Sequence, residues 1–331
     1  MNEYQILGRI GQGAHGYVMK GLHKTKNKEV ALKKVIIKSL DEGIPKNIMR
    51  EILALRVLKF EYIVELLDVV PHGMGLVLVM EYLPSSLFNL LKDETYVLNM
   101  AQIKCYSKML LLGVNFMHEN SIMHRDLKPA NLLITDNGVL KIADLGLARI
   151  YVKGESNRQY THQVATRWYR APELLYGSRM YTPSVDLWAV GCIIAEMLTR
   201  KPLFPGETDI EQLAIVLHTL GTPTEDTWPG LQELPDYNKI SFSTAAGLDW
   251  KEILPGVDDD IINFIKGFIE YDHSKRLGAK EALNHTYFSI SPVASDLGDM
   301  PKPKDIRNHF LEDAENFENF YSEFEQLING L

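Results

Sequence analysis

Cysteine is nearly absent: the 331 residues hold two, Cys105 and Cys192. Two cysteines cannot form a disulfide framework, which points to a reducing compartment. Positive charge is in deficit, with 35 Lys and Arg against 43 Asp and Glu for a net −8. A chain of that balance is a poor nucleic-acid binder through its bulk field, so no nucleic-acid partner is expected. Long apolar runs are missing as well. The longest uncharged apolar stretch, 187–195, is far below the ~18 residues of a membrane span. The opening Met1-Asn2-Glu3-Tyr4-Gln5 has neither a basic nor an apolar leader region, so no secretory signal is expected. There is no internal repeat and no low-complexity segment.

What is present is a globular composition, 46% hydrophobic and 24% charged. The length suits two domains or one two-lobed unit. The first third reads as short β-rich runs at 4–11, 17–22, 29–35, 64–70 and 76–80. One helical pattern interrupts them, opened by Pro45 with Ile48, Ile52 and Leu55 at helical spacing. From about residue 86 the texture turns helical, with long apolar patterns over 101–118 and 185–197. The second is apolar almost all round, as expected of a helix buried inside a domain.

Gly11-Gln12-Gly13-Ala14-His15-Gly16-Tyr17-Val18 fits G-x-G-x-x-G-x-V. A dinucleotide fold would need a helix after these glycines. Here a strand follows, so a hairpin laying backbone N–H groups over phosphates fits better. Val30-Ala31-Leu32-Lys33 comes at the spacing of a phosphate-binding lysine. An ammonium among apolar neighbours needs a partner, and Glu51 on the following helix can supply it. His124-Arg125-Asp126-Leu127-Lys128-Pro129-Ala130-Asn131 follows, then Asp144-Leu145-Gly146 and Ala171-Pro172-Glu173.

This ordered set resembles a eukaryotic protein kinase. The resemblance covers residues 4–288 and implies an α+β, two-lobed fold. The N-lobe would span about 4–81, the hinge 81–85 and the helical C-lobe 86–288, with 289–331 as a tail. ATP and Mg²⁺ are the implied substrate and metal. The implied roles are phosphate contacts from Lys33, anchored by Glu51, and from Lys128. Asp126 would orient the substrate hydroxyl and accept its proton, and Asn131 and Asp144 would ligate Mg²⁺. Ile10, Gly11, Gly13, Gly16, Val18, Ala31, Met80, Glu81, Leu83 and Leu133 would bind ATP, with Met80 as gatekeeper and Val18, Ala31 and Leu133 around the adenine. Lys128, two residues after Asp126, resembles Ser/Thr kinases. The metal motif departs from the usual Asp-Phe-Gly: Leu145 stands in place of Phe. A scaffold with weak or no catalysis is the alternative reading. Leu145 alone favours it, against the intact Lys33, Glu51, Asp126, Asn131 and Asp144.

Pro45-Lys46-Asn47-Ile48-Met49-Arg50-Glu51 resembles the cyclin-contacting helix of cyclin-dependent kinases, which implies a cyclin or other activating subunit. Thr161 matches their activating phosphosite, with Arg50, Arg125 and Arg149 as its clamp and an upstream kinase as its source. Val164, Ala165 and Arg170 fall at the pocket that selects Pro after the target residue, with Thr166 also in the substrate pocket, so protein substrates with Ser-Pro or Thr-Pro sites are expected. Finer segments, including Leu234-Pro235-Asp236-Tyr237-Asn238, look like the cell-cycle-related kinase branch, with the CDK-activating kinase branch as alternative. The first implies cell-cycle or ciliary signalling, in nucleus and cytoplasm and at the cilium. Ala14 and His15 replace the pair on which inhibitory phosphates fall in cell-cycle members. Asp186 is expected to brace the catalytic loop, and Glu173 to pair with Arg276. The last 24 residues carry six acids and no Lys or Arg, with Phe310, Phe317, Phe320, Phe324 and Leu327 near helical spacing. They read either as an acidic amphipathic docking helix or as a bland tail.

Overall fold

In a computed structural model, residues 1–13, 16–37, 44–73, 75–152, 154 and 158–302 are described. The expectations for Ala14, His15 and the acidic last 24 residues, 308–331, lie outside them.

Strands β1 (Tyr4–Gly13), β2 (Gly16–His23), β3 (Lys28–Ile36), β4 (Leu66–Pro71) and β5 (Gly75–Glu81) form one antiparallel sheet in the order β1-β2-β3-β5-β4. Helix α1 (Lys46–Val57) is inserted between β3 and β4. Register sorts the side chains by a period of two. Val30, Leu32, Met19, Val77 and Val79 close one face with Tyr4. Val18 opposite Lys33, and Ala31 opposite Met80, share the other face. There Val35 and Leu78 also pack under Ile48 and Ile52 of α1. The apolar spacing read in the sequence is therefore the face with which α1 grips the sheet. Pro45, with its φ already at −54°, sits just before the first turn of α1.

The second lobe begins after residues 81–85 with β6 (Ser85–Ser86) and α2 (Leu87–Lys92). Helix α3 (Met100–Glu119) starts on a reciprocal cap: Asn99 Oδ1 accepts Gln102 N, and Gln102 Oε1 accepts Asn99 N. Strands β7 (Ile122–Met123) and β10 (Arg149–Ile150) pair, and β8 (Leu132–Ile134) lies between β6 and β9 (Leu140–Ile142). Helices α4 (Pro172–Leu175), α5 (Ser184–Thr199), α6 (Asp209–Leu220), α7 (Trp250–Ile253), α8 (Asp259–Lys266) and α9 (Ala279–Leu283) complete the chain. The near-uniformly apolar α5 is the buried axis of this lobe, as its pattern predicts. Arg276 meets Glu173 with two 2.7 Å bonds, the buried fork-to-fork pair expected from the sequence. Residues 289–302 strap back over α3: fully buried Lys104 donates to Ile290 O at 2.7 Å, and Gln102 to Asp299 O at 2.8 Å. The α+β, two-lobed architecture is as expected.

Candidate active site

The two lobes bring three distant segments to one point. Lys33 projects from β3 to the Glu51 carboxylate on α1, 2.5 Å away, and to Asp144 Oδ1, 3.0 Å away. Glu51 is 3% exposed, so its charge has no solvent to turn to. Burial pulls the Lys33 ammonium down, but the charges of Asp144 and Glu51 outweigh it and hold it above its ordinary value. The Asp144 side chain stays half-exposed toward the cleft. Its burial against protein atoms raises its carboxyl, and Lys33 above all, then His124 and Lys128, bring it below the ordinary value. Its backbone is left-handed, at φ 60°.

The segment around Asp126 is held from behind. Asp186 on α5 accepts the backbone N–H of His124 at 2.8 Å and of Arg125 at 2.7 Å, and faces His118 Nε2 at 2.9 Å. Arg125 sits at φ 69°, a strained conformation that these bonds enforce. In front, Asp126 Oδ1 accepts Thr166 N at 2.7 Å, and Oδ2 accepts Lys128 Nζ at 2.9 Å. Lys128 also donates to Thr166 Oγ1 at 2.7 Å. Asn131 Nδ2 donates to Asp126 O at 2.8 Å, and to its Oδ2 at 3.2 Å. Thr166, expected in the substrate pocket, is tied to the Asp126 carboxylate.

Above this lies an apolar slot. Ile10 and Ala31 form its buried roof, and Val18 is partly covered. Val64, Leu83 and Ala143, with Met80 and Leu133, form a small core beneath. Gly11 pairs with Val18 and Gly13 with Gly16 in the β1–β2 hairpin. The Glu81 side chain is taken up by Lys141, at 2.7 and 2.9 Å, and by Glu65 N at 2.8 Å.

Thr161 is exposed, and Tyr181 ties it down: the Tyr181 hydroxyl donates to Thr161 O at 2.6 Å and accepts Arg125 Nη1 at 2.6 Å. Arg125 Nε is bound to Leu147 O at 2.8 Å. Arg50 and Arg149 line a cavity of about 160 Å³ together with Arg158, Leu53 and Ile150. Arg125 therefore reaches Thr161 through a tyrosine, while the other two arginines flank an open space. Beyond it the chain turns sharply, with Ala165 at φ 67°. Arg170 caps that turn: its Nε donates to Val164 O at 2.8 Å and its Nη2 to Ala165 O at 2.9 Å.

Comparison with known proteins decides what this arrangement is. The family model described as "Protein kinase domain" matches residues 4–288. Cyclin-dependent kinase 20 of Danio rerio is 52% identical over 305 residues, covering 92% of this chain and 88% of that protein. The protein of the same name in Homo sapiens is 50% identical over the same shares. Cyclin-dependent kinase 7 of Xenopus laevis is 42% identical over 304 residues, 91% of this chain and 85% of that one. The chain belongs to the protein kinase family, among the cyclin-dependent kinases.

Protein kinases use ATP and Mg²⁺, and the donor set of this kinase suits the metal. Mg²⁺ takes oxygen ligands, commonly one or two carboxylates completed by substrate phosphates. Asp144 keeps its carboxylate ionised. Asn131 spends its amide nitrogen on Asp126, which leaves the amide oxygen for a cation. Among the described residues there is no group of three or more His, Cys, Asp or Glu that could hold a metal without help. In the kinase, Leu145 is fully buried in the same core as Leu55 of α1, so it fills the place of the usual aromatic as an apolar plug. Sequence reasoning missed Arg158, Tyr181 and Lys141. Arg158 carried one signal, its position three residues before Thr161. Tyr181 and Lys141 carried none, because their partners are distant in the chain. No helix among the described residues is long and apolar enough to cross a membrane.

Proposed function

We propose that this serine/threonine kinase transfers the ATP γ-phosphate to a Ser or Thr followed directly by Pro. Asp126 orients the attacking hydroxyl and takes its proton as the oxygen bonds to phosphorus and the bond to the β-phosphate oxygen breaks. Lys128, already on Asp126, faces the transferred group, and Lys33, fixed by Glu51, holds the inner phosphates. Mg²⁺ on Asp144 and Asn131 would neutralise phosphate charge. The glycines 11, 13 and 16 let backbone approach the phosphates, and Ile10, Val18, Ala31, Met80 and Leu133 enclose the base, with backbone bonds from Glu81 and Leu83.

One observation carries the Pro preference. Arg170 has already engaged the carbonyls of Val164 and Ala165. An ordinary residue after the target would bring an N–H to backbone whose carbonyls are turned to Arg170. Proline brings none. The reading is tested by the ratio of kcat/KM for matched Thr-Pro and Thr-Ala peptides. A ratio near one would sink it.

Activation is read from Thr161 with Arg50, Arg125 and Arg149 as its clamp, and Arg50 and Arg149 line a cavity together with Arg158. A phosphate of about −2 charge placed on Thr161 by an upstream kinase would order the segment against those cations. The relatives' names point to a cyclin-like activating subunit. Met49, Leu53 and Val57 on α1, with Ile150 and Val152, are exposed apolar side chains that such a subunit would cover. The branch resemblance supports action in nucleus and cytoplasm and at the cilium. Localising a tagged full chain by imaging tests that placement.

A further inference from the structure

Asp209 opens α6, where an acid in the first turn ordinarily serves the helix dipole. Here its carboxylate reaches off its own helix. Oδ2 lies 2.9 Å from Arg170 Nη1, and Oδ1 accepts Arg167 Nε at 2.8 Å. The two arginines differ. Arg167 is well exposed at 39%, and its Nη1 turns to Glu207 O at 2.6 Å. Arg170 is 11% exposed and gives two further donors to Val164 O and Ala165 O. Those carbonyls offer only partial charge to a guanidinium that is largely out of water, so a full negative charge is what keeps it seated. Burial raises the Asp209 carboxyl, and the bonds and charges of Arg167 and Arg170 bring it below its ordinary value.

We propose that Asp209 is a positioning residue for substrate specificity: it locks the Arg170 guanidinium onto the Val164 and Ala165 carbonyls and so enforces proline after the target hydroxyl. The proposal rests on the Pro-directed reading above. Without Asp209, the third arm of the Arg170 fork is loose. The guanidinium swings toward solvent, and the two carbonyls become acceptors for an ordinary N–H. Substrates lacking the proline then gain. The segment bound to Asp126 through Thr166 is not moved, so ATP handling is untouched.

The test measures kcat/KM for Thr-Pro and Thr-Ala peptides with the full chain purified in its active, Thr161-phosphorylated state. Asp209→Ala is expected to cut the Pro/Ala ratio roughly tenfold, the weight of one charge-assisted hydrogen bond, with KM for ATP unchanged. Asp209→Glu restores the ratio. Arg167→Ala, which removes the other partner of the same carboxylate, leaves it within about twofold, since Arg170 keeps its pair. An unchanged ratio in Asp209→Ala, at a retained melting temperature, overturns the proposal. So does an equal fall in Arg167→Ala, which would reduce Asp209 to a fastener of α6. A wild-type ratio near one removes the Pro-directed reading itself, and is separable because it appears before any substitution.

Discussion

Glu51 stands 2.5 Å from the Lys33 ammonium, joining α1 to the sheet at the mouth of the cleft. The pair spans 18 residues of chain and is complete in the structure as it stands, with Asp144 as the third member at 3.0 Å. Lys33 is therefore already placed for phosphate. Lys33→Met is expected to lower kcat/KM about 100- to 1000-fold, as for other preorganised electrostatic groups. Glu51→Gln should cost less, about tenfold, because a neutral amide still fills the site. Steady-state kinetics beside thermal melting checks both.

Leu145 is sealed beneath α1. Replacing it with Phe, the more usual residue, adds volume to a closed core and is expected to destabilise the protein by about 1–3 kcal/mol. Thermal melting in the absence of nucleotide reads this directly. A more stable Leu145→Phe variant would mean that the core has room the structure does not show.

Asp186 gives a pH signature. Burial alone would raise its carboxyl. The hydrogen bond and charge of His118, then the charge of His124 and the backbone N–H of Arg125, bring it below the ordinary 3.8. A carboxyl lowered in the folded state contributes stability that is complete above the unfolded value and is lost as pH falls through the folded one. Asp186→Asn should therefore cost about 3–5 kcal/mol near neutrality. That difference should hold from pH 8 to 5 and shrink below pH 4, as the wild-type carboxyl takes up its proton. Denaturant unfolding across that range measures it.

On the proposed activation, phosphate on Thr161 should raise both activity and melting temperature, because it would draw in cations from Arg50, Arg149 and Arg158. Thr161→Ala is expected to abolish the gain. Arg158→Ala should reduce it while leaving the unphosphorylated melting temperature within a degree or two. An undiminished gain in Arg158→Ala would remove that residue from the site.

Much of this was legible in the chain because local chemistry repeats at fixed intervals. Val30 and Leu32 alternate with Ala31 and Lys33 as a strand must, which puts Lys33 on the face opposite Val30 and Leu32, and the resemblance to protein kinases makes that the cleft face. Pro45 and the spacing of Ile48, Ile52 and Leu55 mark α1 and its buried side. The pairing of Glu173 with Arg276 was legible only through the resemblance to protein kinases, and the fold buries both charges together. The rest depends on partners that no spacing encodes. Tyr181 reads as one more core aromatic until the fold sets its hydroxyl between Arg125 and Thr161. Ala165 gives no hint of its positive φ, or of the two bonds that Arg170 makes to the carbonyls at that turn. Thr166 reads as part of the substrate pocket, and no spacing shows that its hydroxyl and N–H meet Asp126, 40 residues away in the chain.

The central claim is that Asp126 serves phosphoryl transfer to proline-directed Ser and Thr. The most direct measurement is phosphate transfer from Mg·ATP to matched Thr-Pro and Thr-Ala peptides by the active full chain and its Asp126→Asn variant, with ATP binding followed in parallel. Wild-type transfer strongly favouring Thr-Pro, lost at least about 1000-fold in Asp126→Asn while ATP still binds, is the expected result. Transfer that survives in Asp126→Asn, or that ignores the proline, would contradict it.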